Sequence, residues 1–261
     1  MKMSRIDTTL RILNKRGEKA LALFITAGYP ELESTVPIVH ALEQGGADII
    51  EIGMPFSDPL ADGPVIQESS HRALKNGITL QRILSDLAAI RKQSDIPLVL
   101  MGYVNPIMAF GEERFFSCMA EAGADGIILP ELPLEEIGRF SSLIARSGLS
   151  QILLVTPTTA AERISAIDEA SSGFMYCVST TGVTGGKSRV PEQEYLKRVK
   201  REARKNAVMV GFGVSTPEDA HAYAQATDGV IIGSALIKRL GQGLAGEPLS
   251  TWVRGMKEAL R

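Results

Sequence analysis

Short apolar runs alternate with longer amphipathic stretches along the chain. The runs cover residues 20–27, 48–53, 96–102, 126–129, 151–155, 173–178, 207–211 and 229–232. They are apolar on both faces rather than alternating, which is the pattern of parallel strands covered on both sides. Between them, residues 33–44, 80–92, 112–121, 134–146, 160–170, 192–205 and 217–225 have the apolar spacing of amphipathic helices. Ile6, Leu10 and Leu13 fall at i, i+4 and i+7 and predict one more helix before the first strand.

Eight strand–helix units in 261 residues match the size and count of a (β/α)8 (TIM) barrel, here with an extra N-terminal helix. A doubly wound sheet is the alternative. It usually has fewer strands and a G-x-G-x-x-G fingerprint after the first, and Gly28-Tyr29-Pro30 carries none. No linker or shift of composition divides the chain, so one domain over 1–261 is expected. A weak repeat supports this organisation: Gly46-Ala47-Asp48, Gly123-Ala124-Asp125 and Thr227-Asp228-Gly229 each stand between a helix and the next strand. Glycine there suits the left-handed position that ends a helix.

Composition removes several function classes. The chain is 44% apolar and 22% charged, ample for a large core. No apolar run approaches the roughly 20 residues of a membrane span. A net charge of −2 argues against a nucleic-acid binder, which usually has a strong basic excess. Cys118 and Cys177 are too few for a disulfide framework, and a reducing cytoplasm fits them best. Residues 1–17 are of mixed charge, unlike a secretory signal. The 25 glycines and 13 prolines form no low-complexity segment; they punctuate the apolar runs.

In a barrel of this kind, reacting groups stand at the C-terminal ends of strands and in the loops that follow. Glu51 interrupts an apolar strand near its end. A structural carboxylate paired with a buried cation is one reading. A carboxylic acid held among Ile and Met, with a raised pKa suited to general acid–base work, is the reading that its strand-end position favours. Asp58 precedes Pro59 and Asp62 precedes Gly63, both common turn pairs, so either aspartate can be explained by a turn alone.

Gly211-Phe212-Gly213-Val214-Ser215 leads to a helix start at Pro217, and Gly233-Ser234-Ala235 opens directly into Leu236. Barrels often bind phosphate with the loops after strands seven and eight and a helix N-terminus. The segment 179–188 ends in Gly186-Lys187-Ser188, but a P-loop would need glycine at Thr181 and a helix straight after Lys187. A glycine-rich lid over 179–191 is the better reading. His40, His71 and His221 lie in helices away from strand ends, so a metal site has no support. The basic run 197–205 is simply the solvated face of a helix.

The segment Glu51-Ile52-Gly53-Met54-Pro55-Phe56-Ser57-Asp58-Pro59-Leu60-Ala61-Asp62-Gly63-Pro64-Val65-Ile66-Gln67 closely resembles the signature of the tryptophan synthase alpha chain family. Segments 24–30, 101–106, 181–185, 211–215 and 233–235 extend the resemblance over essentially the whole chain. It implies a (β/α)8 lyase that cleaves indole-3-glycerol phosphate to indole and glyceraldehyde 3-phosphate. It also implies an α2β2 complex in which a beta chain, carrying pyridoxal phosphate, receives the indole. No cofactor is then expected in this chain.

By the same resemblance Glu51 matches the family's general acid/base, and Asp62 the carboxylate on the indole N–H. Gly185, Gly213, Gly233 and Ser234 match the phosphate cradle. Phe24, Met101, Tyr103, Tyr176 and Phe212 match the indole pocket, and Thr184 the lid threonine that meets the aspartate. Loops 54–62 and 103–110 match those that face the beta chain. Glu131 stands where the family often has aspartate, and Gly186-Lys187-Ser188 differs from common lid sequences. Two other readings stay open. A different phosphate-binding barrel enzyme of the same pathway would need a strand-end lysine, which none of the eight runs supplies; a non-catalytic activator of a beta chain would have lost Glu51 or Asp62.

Overall fold

The computed structural model describes residues 3–178, 190–211 and 213–261. Its strands are β1 (Ala20–Thr26), β2 (Ile49–Gly53), β3 (Leu98–Met101), β4 (Gly126–Ile128), β5 (Ser150–Ile152), β6 (Leu154–Val155), β7 (Phe174–Val178), β8 (Ala207–Gly211) and β9 (Gly229–Ile232). All pair in parallel, in the order β5-β4-β3-β2-β1-β9-β8-β7-β6. Almost every strand residue is buried, which is why the runs show no apolar–polar alternation.

The fifth apolar run is divided at Leu153. Its first part, β5, pairs with β4, and its second part, β6, pairs with β7. The Tyr176 amide donates to the Leu153 carbonyl at 3.0 Å and joins the two edges. Strands in a barrel are tilted and staggered, so a short strand meets its two neighbours at different heights. The ring of eight predicted strands therefore closes, with its seam inside a single run.

The described helices are α1 (Arg5–Arg16), α2 (Thr35–Gln44), α3 (Pro64–Lys75), α4 (Leu80–Arg91), α5 (Val104–Phe110), α6 (Glu112–Glu121), α7 (Leu134–Arg146), α8 (Ala161–Ala170), α9 (Val190–Glu202), α10 (Pro217–Ala224), α11 (Ser234–Gly241) and α12 (Gly246–Glu258). Seven of the predicted stretches match helices within a few residues at either end. Helices α3, α5, α11 and α12 fall outside those stretches, although the start of α11 after Gly233 is expected from its sequence. A seven-residue helix such as α5 is too short to show a period. In α12 the signal is present but sparse: Leu249, Val253 and Met256 are buried at i, i+4 and i+7 among polar residues and glycine.

Helix α1 is the predicted N-terminal helix. The Ser4 hydroxyl accepts from the Asp7 amide, and Gly17 ends the helix at a φ of 70°. Ile6 is fully buried and reaches both Gly126 and Gly173, so α1 plugs the N-terminal mouth of the barrel.

At that mouth one device recurs. The residue before a strand accepts, through its side chain, from an amide at the start of an earlier strand. Its own amide donates to the carbonyl of that same residue. Asp48 does this to Leu21, Asp125 to Leu98 and Asp228 to Val208, with side-chain distances of 2.7, 2.9 and 2.8 Å. Ser172, two residues before β7, does the same to Gln151 at 2.8 Å. Asp125 also binds Arg91 and Arg5 at 2.9 and 3.0 Å, and Asp48 binds the buried Lys257 at 2.7 Å. The sequence repeat thus marks strand staples as well as helix ends. Gly46 and Gly123 hold positive φ as expected, at 98° and 89°. Gly229 differs: it lies inside β9, where a Cβ would stand 2.6 Å from the Ala20 carbonyl oxygen.

Candidate active site

The opposite mouth gathers the strand ends. Glu51 sits between Ile50 and Ile52 in β2 and pairs in register with Phe24 of β1 and Val99 of β3. The period of two turns these three side chains to the same face of the sheet. Tyr176, on β7 across the barrel, senses the charges of both Glu51 and Asp62, so that face is the barrel interior. Glu51 is fully buried, and neither carboxyl oxygen has a hydrogen-bond partner among the described residues. The paired structural carboxylate is therefore not what the described residues build. Burial pushes the Glu51 pKa up to about 8, so near neutrality it is an acid with a proton to give.

Asp62 follows in the loop from β2 to α3. Its amide donates to the Pro59 carbonyl at 3.1 Å, and the Gln67 side chain donates to its carbonyl at 2.9 Å. Its carboxylate accepts from the Tyr103 hydroxyl at 3.1 Å, and that hydroxyl accepts from the Ala61 amide at 3.0 Å. Burial raises the Asp62 pKa to about 6 against the opposing effect of the Tyr103 hydrogen bond. Asp58, in contrast, is exposed and engaged locally with Ser57, as a turn residue is.

Phe24, Gly53, Met101, Tyr103 and Asp62 line one cleft, together with Ile66, Ser70 and Pro130. Glu51 lies one pleat deeper than Gly53. A wider cavity of about 380 Å3 shares Met101 and Pro130 and extends past Glu131 to Leu153 and Val178. Backbone without side chains makes the room. A Cβ on Gly53 would stand 2.5 Å from the Phe24 ring, and one on Gly211 would stand 2.1 Å from the Tyr176 hydroxyl oxygen. Gly211→Ala is therefore expected to displace Tyr176, to destabilise the chain by roughly 1–3 kcal/mol and to lower activity. Adding Tyr176→Leu should restore part of the stability, as read by thermal unfolding of both variants.

The two expected helix N-termini differ. Helix α10 is closed by its own capping box: Thr216 accepts from the Asp219 amide, and the Asp219 carboxylate accepts from the Ser215 and Thr216 amides. An anion there would meet a carboxylate. Helix α11 begins after Gly233 with no side-chain cap, and Gly233 lies next to Phe24. Its first amides, from Ser234 onward, are the better place for a phosphate. Gly213 has a φ of 81°, open to glycine and strained for other residues. Thr184, Gly185 and Phe212, and with them residues 179–189 of the expected lid, lie outside the described residues.

Three findings identify the lineage. The family model described as tryptophan synthase alpha chain matches residues 10–256. The tryptophan synthase alpha chain of Geotalea daltonii is 48% identical over 260 residues, covering 99% of this chain and 98% of that one. The chain belongs to the tryptophan synthase alpha chain family. The crystal structure of tryptophan synthase subunit alpha from Legionella pneumophila superposes with a TM-score of 0.92 at 38% identity, covering 99% of each chain. A structure of Mycobacterium tuberculosis tryptophan synthase gives 0.91 at 35%, covering 100% of this chain and 99% of that one. Members of the tryptophan synthase alpha chain family are carbon–carbon lyases of tryptophan biosynthesis on a TIM barrel, and so is this chain.

Against that family pattern, the structure brings Phe24, Glu51, Asp62, Met101, Tyr103 and Tyr176 to one mouth of the barrel. The three histidines are scattered over α2, α3 and α10. No helix among the described residues is long and apolar enough to cross a membrane. Ser70 and Ile66 are lining residues that the sequence does not single out. The pair Gly63-Pro64, with proline at a first helical position, is the signal that could have found their helix.

Proposed function

We propose that this chain catalyses the alpha reaction, the retro-aldol cleavage of indole-3-glycerol phosphate to indole and glyceraldehyde 3-phosphate, with Glu51 and Asp62 as its catalytic groups. The observation that carries this reading is Glu51: a fully buried acid, unpartnered among the described residues, opposite Tyr176 and under the cleft that Asp62 borders.

The chemistry follows from the groups. Indole is a poor leaving group as a C3 carbanion. The neutral Glu51 gives its proton to indole C3, and the ring becomes an indolenium with positive charge on N1. Asp62, ionised above about pH 6, accepts the N1–H bond and stabilises that charge more than the neutral ring. The Glu51 carboxylate then takes the C3′ hydroxyl proton as the carbon–carbon bond breaks. The bonding pair flows into the ring, neutralises N1, and Glu51 is an acid again.

Phe24, Met101, Tyr103, Tyr176 and Phe212 would hold the indole ring. Gly185, Gly213, Gly233 and Ser234 would hold the phosphate, and its fixed position would align the reacting carbons. Thr184 would meet Asp62 from the lid. No step asks for a cofactor in this chain. The partner would be a beta chain in an α2β2 tetramer, with the pyridoxal phosphate on the beta side. Leu60 on the loop 54–62 and Met108 on α5, 93% and 48% exposed, would supply apolar surface for that partner. The test is release of indole from indole-3-glycerol phosphate by the purified chain, with and without a beta chain. Indole in both, more of it with the partner, is the expected result; a chain that only activates the partner would release none.

A further inference from the structure

Tyr103 is the residue before α5 and gives that helix no side-chain cap. Its hydroxyl is fully committed: the oxygen accepts from Ala61, which leaves the proton to go to Asp62. The Phe56 ring packs on Tyr103 at 5.4 Å, and the backbone beside Tyr103 is held from a different loop. Glu131, between β4 and α7 and flanked by Pro130 and Pro133, accepts from the Val104 amide at 2.6 Å. That amide is the first of α5 and is adjacent to Tyr103 in the chain. A charged acceptor on a helix-start amide makes a strong hydrogen bond. The side chain of Glu131 is long enough to reach it from the β4 end, and a residue one methylene shorter at this position would need the loop to move.

We propose that Glu131 is a positioning residue for the alpha reaction: by holding the first amide of α5 it fixes the Tyr103 hydroxyl between the Ala61 amide and the Asp62 carboxylate. The proposal rests on the role given to Asp62 above. The ionisable groups around Asp62 are Tyr103 at the start of α5, Glu51 of β2 through Tyr176 of β7, and Glu131 behind Tyr103. Of these, only the Tyr103 hydroxyl donates to Asp62 among the described residues, so only it favours the ionised carboxylate.

The test compares Glu131→Ala, Glu131→Gln, Tyr103→Phe and the double variant Glu131→Ala/Tyr103→Phe. Two quantities are followed: the acid limb of indole release, and an infrared titration of the Asp62 carboxylate band, assigned by its loss in Asp62→Asn. Glu131→Ala should move both upward by roughly half to one pH unit and lower kcat on the order of tenfold, with KM little changed. Glu131→Gln, which still offers an oxygen to the Val104 amide, should stay near the parent chain. The double variant should titrate like Tyr103→Phe alone. An unmoved Asp62 titration in Glu131→Ala overturns the proposal, even if that variant is less stable. A double variant whose shifts add overturns it too. The infrared arm needs no turnover, so a parent chain that releases no indole would defeat the functional reading and still decide this one.

Discussion

Glu51→Gln should lose indole release by about 100- to 10,000-fold, the usual worth of a general acid–base, while still binding the phosphorylated substrate. It should also be the more stable chain at neutral pH. The Glu51 pKa is raised from 4.5 to about 8 by burial. Between those values the folded chain holds a proton on Glu51 that the unfolded chain has released, so the Glu51 contribution to stability is complete below about pH 4.5 and falls as pH rises toward 8. At pH 7 the cost is about 3 kcal/mol. Glutamine removes the ionisation, so melting temperature should rise and lose most of its dependence on pH between about 6 and 8, where Asp62 has already titrated. Thermal unfolding of both chains across the range, alongside the indole assay, checks the two halves together. A variant that keeps near-normal turnover would remove Glu51 from the mechanism.

Asp62→Asn should cost about 100- to 1,000-fold in kcat, because an amide cannot balance the N1 charge. Its pH profile should change in a defined way. The productive form of the parent has Asp62 ionised and Glu51 protonated, so kcat/KM should rise through about pH 6 and fall through about pH 8. In Asp62→Asn the rising limb should vanish and the falling limb remain. If the rising limb persists, another group supplies it and Asp62 is not the carboxylate at N1.

The parts of the molecule legible in the sequence are those set by local pattern. A lone glutamate in an apolar strand stands out because burial of a charge needs a reason. The barrel itself follows from eight doubly buried runs with helices between them. Asp62 is different: from its Asp-Gly pair a turn explains it equally well, and only the contact with Tyr103, 41 residues away, separates the two readings. Glu131 has the same difficulty, since its partner amide is 27 residues away and carries no side-chain signature. The two glycine-rich loops look alike as sequence. What distinguishes them is Asp219, which closes α10 to anions, and the absence of any such cap on α11. The seam at Leu153 is a matter of stagger between strands and leaves no trace in the pattern of that run.

The staples formed by Asp48, Asp125, Ser172 and Asp228 lie at the mouth remote from Glu51 and Asp62. The chain thereby separates two tasks. One end holds the ring together through short side chains that accept from strand amides, with Arg5, Arg91, Lys200 and Lys257 closing on the three aspartates. The other end carries the loops of the site, and none of these four staples passes through them. A scaffold divided in this way lets a substitution in a site loop leave the four staples, and with them the stapled end of the ring, untouched.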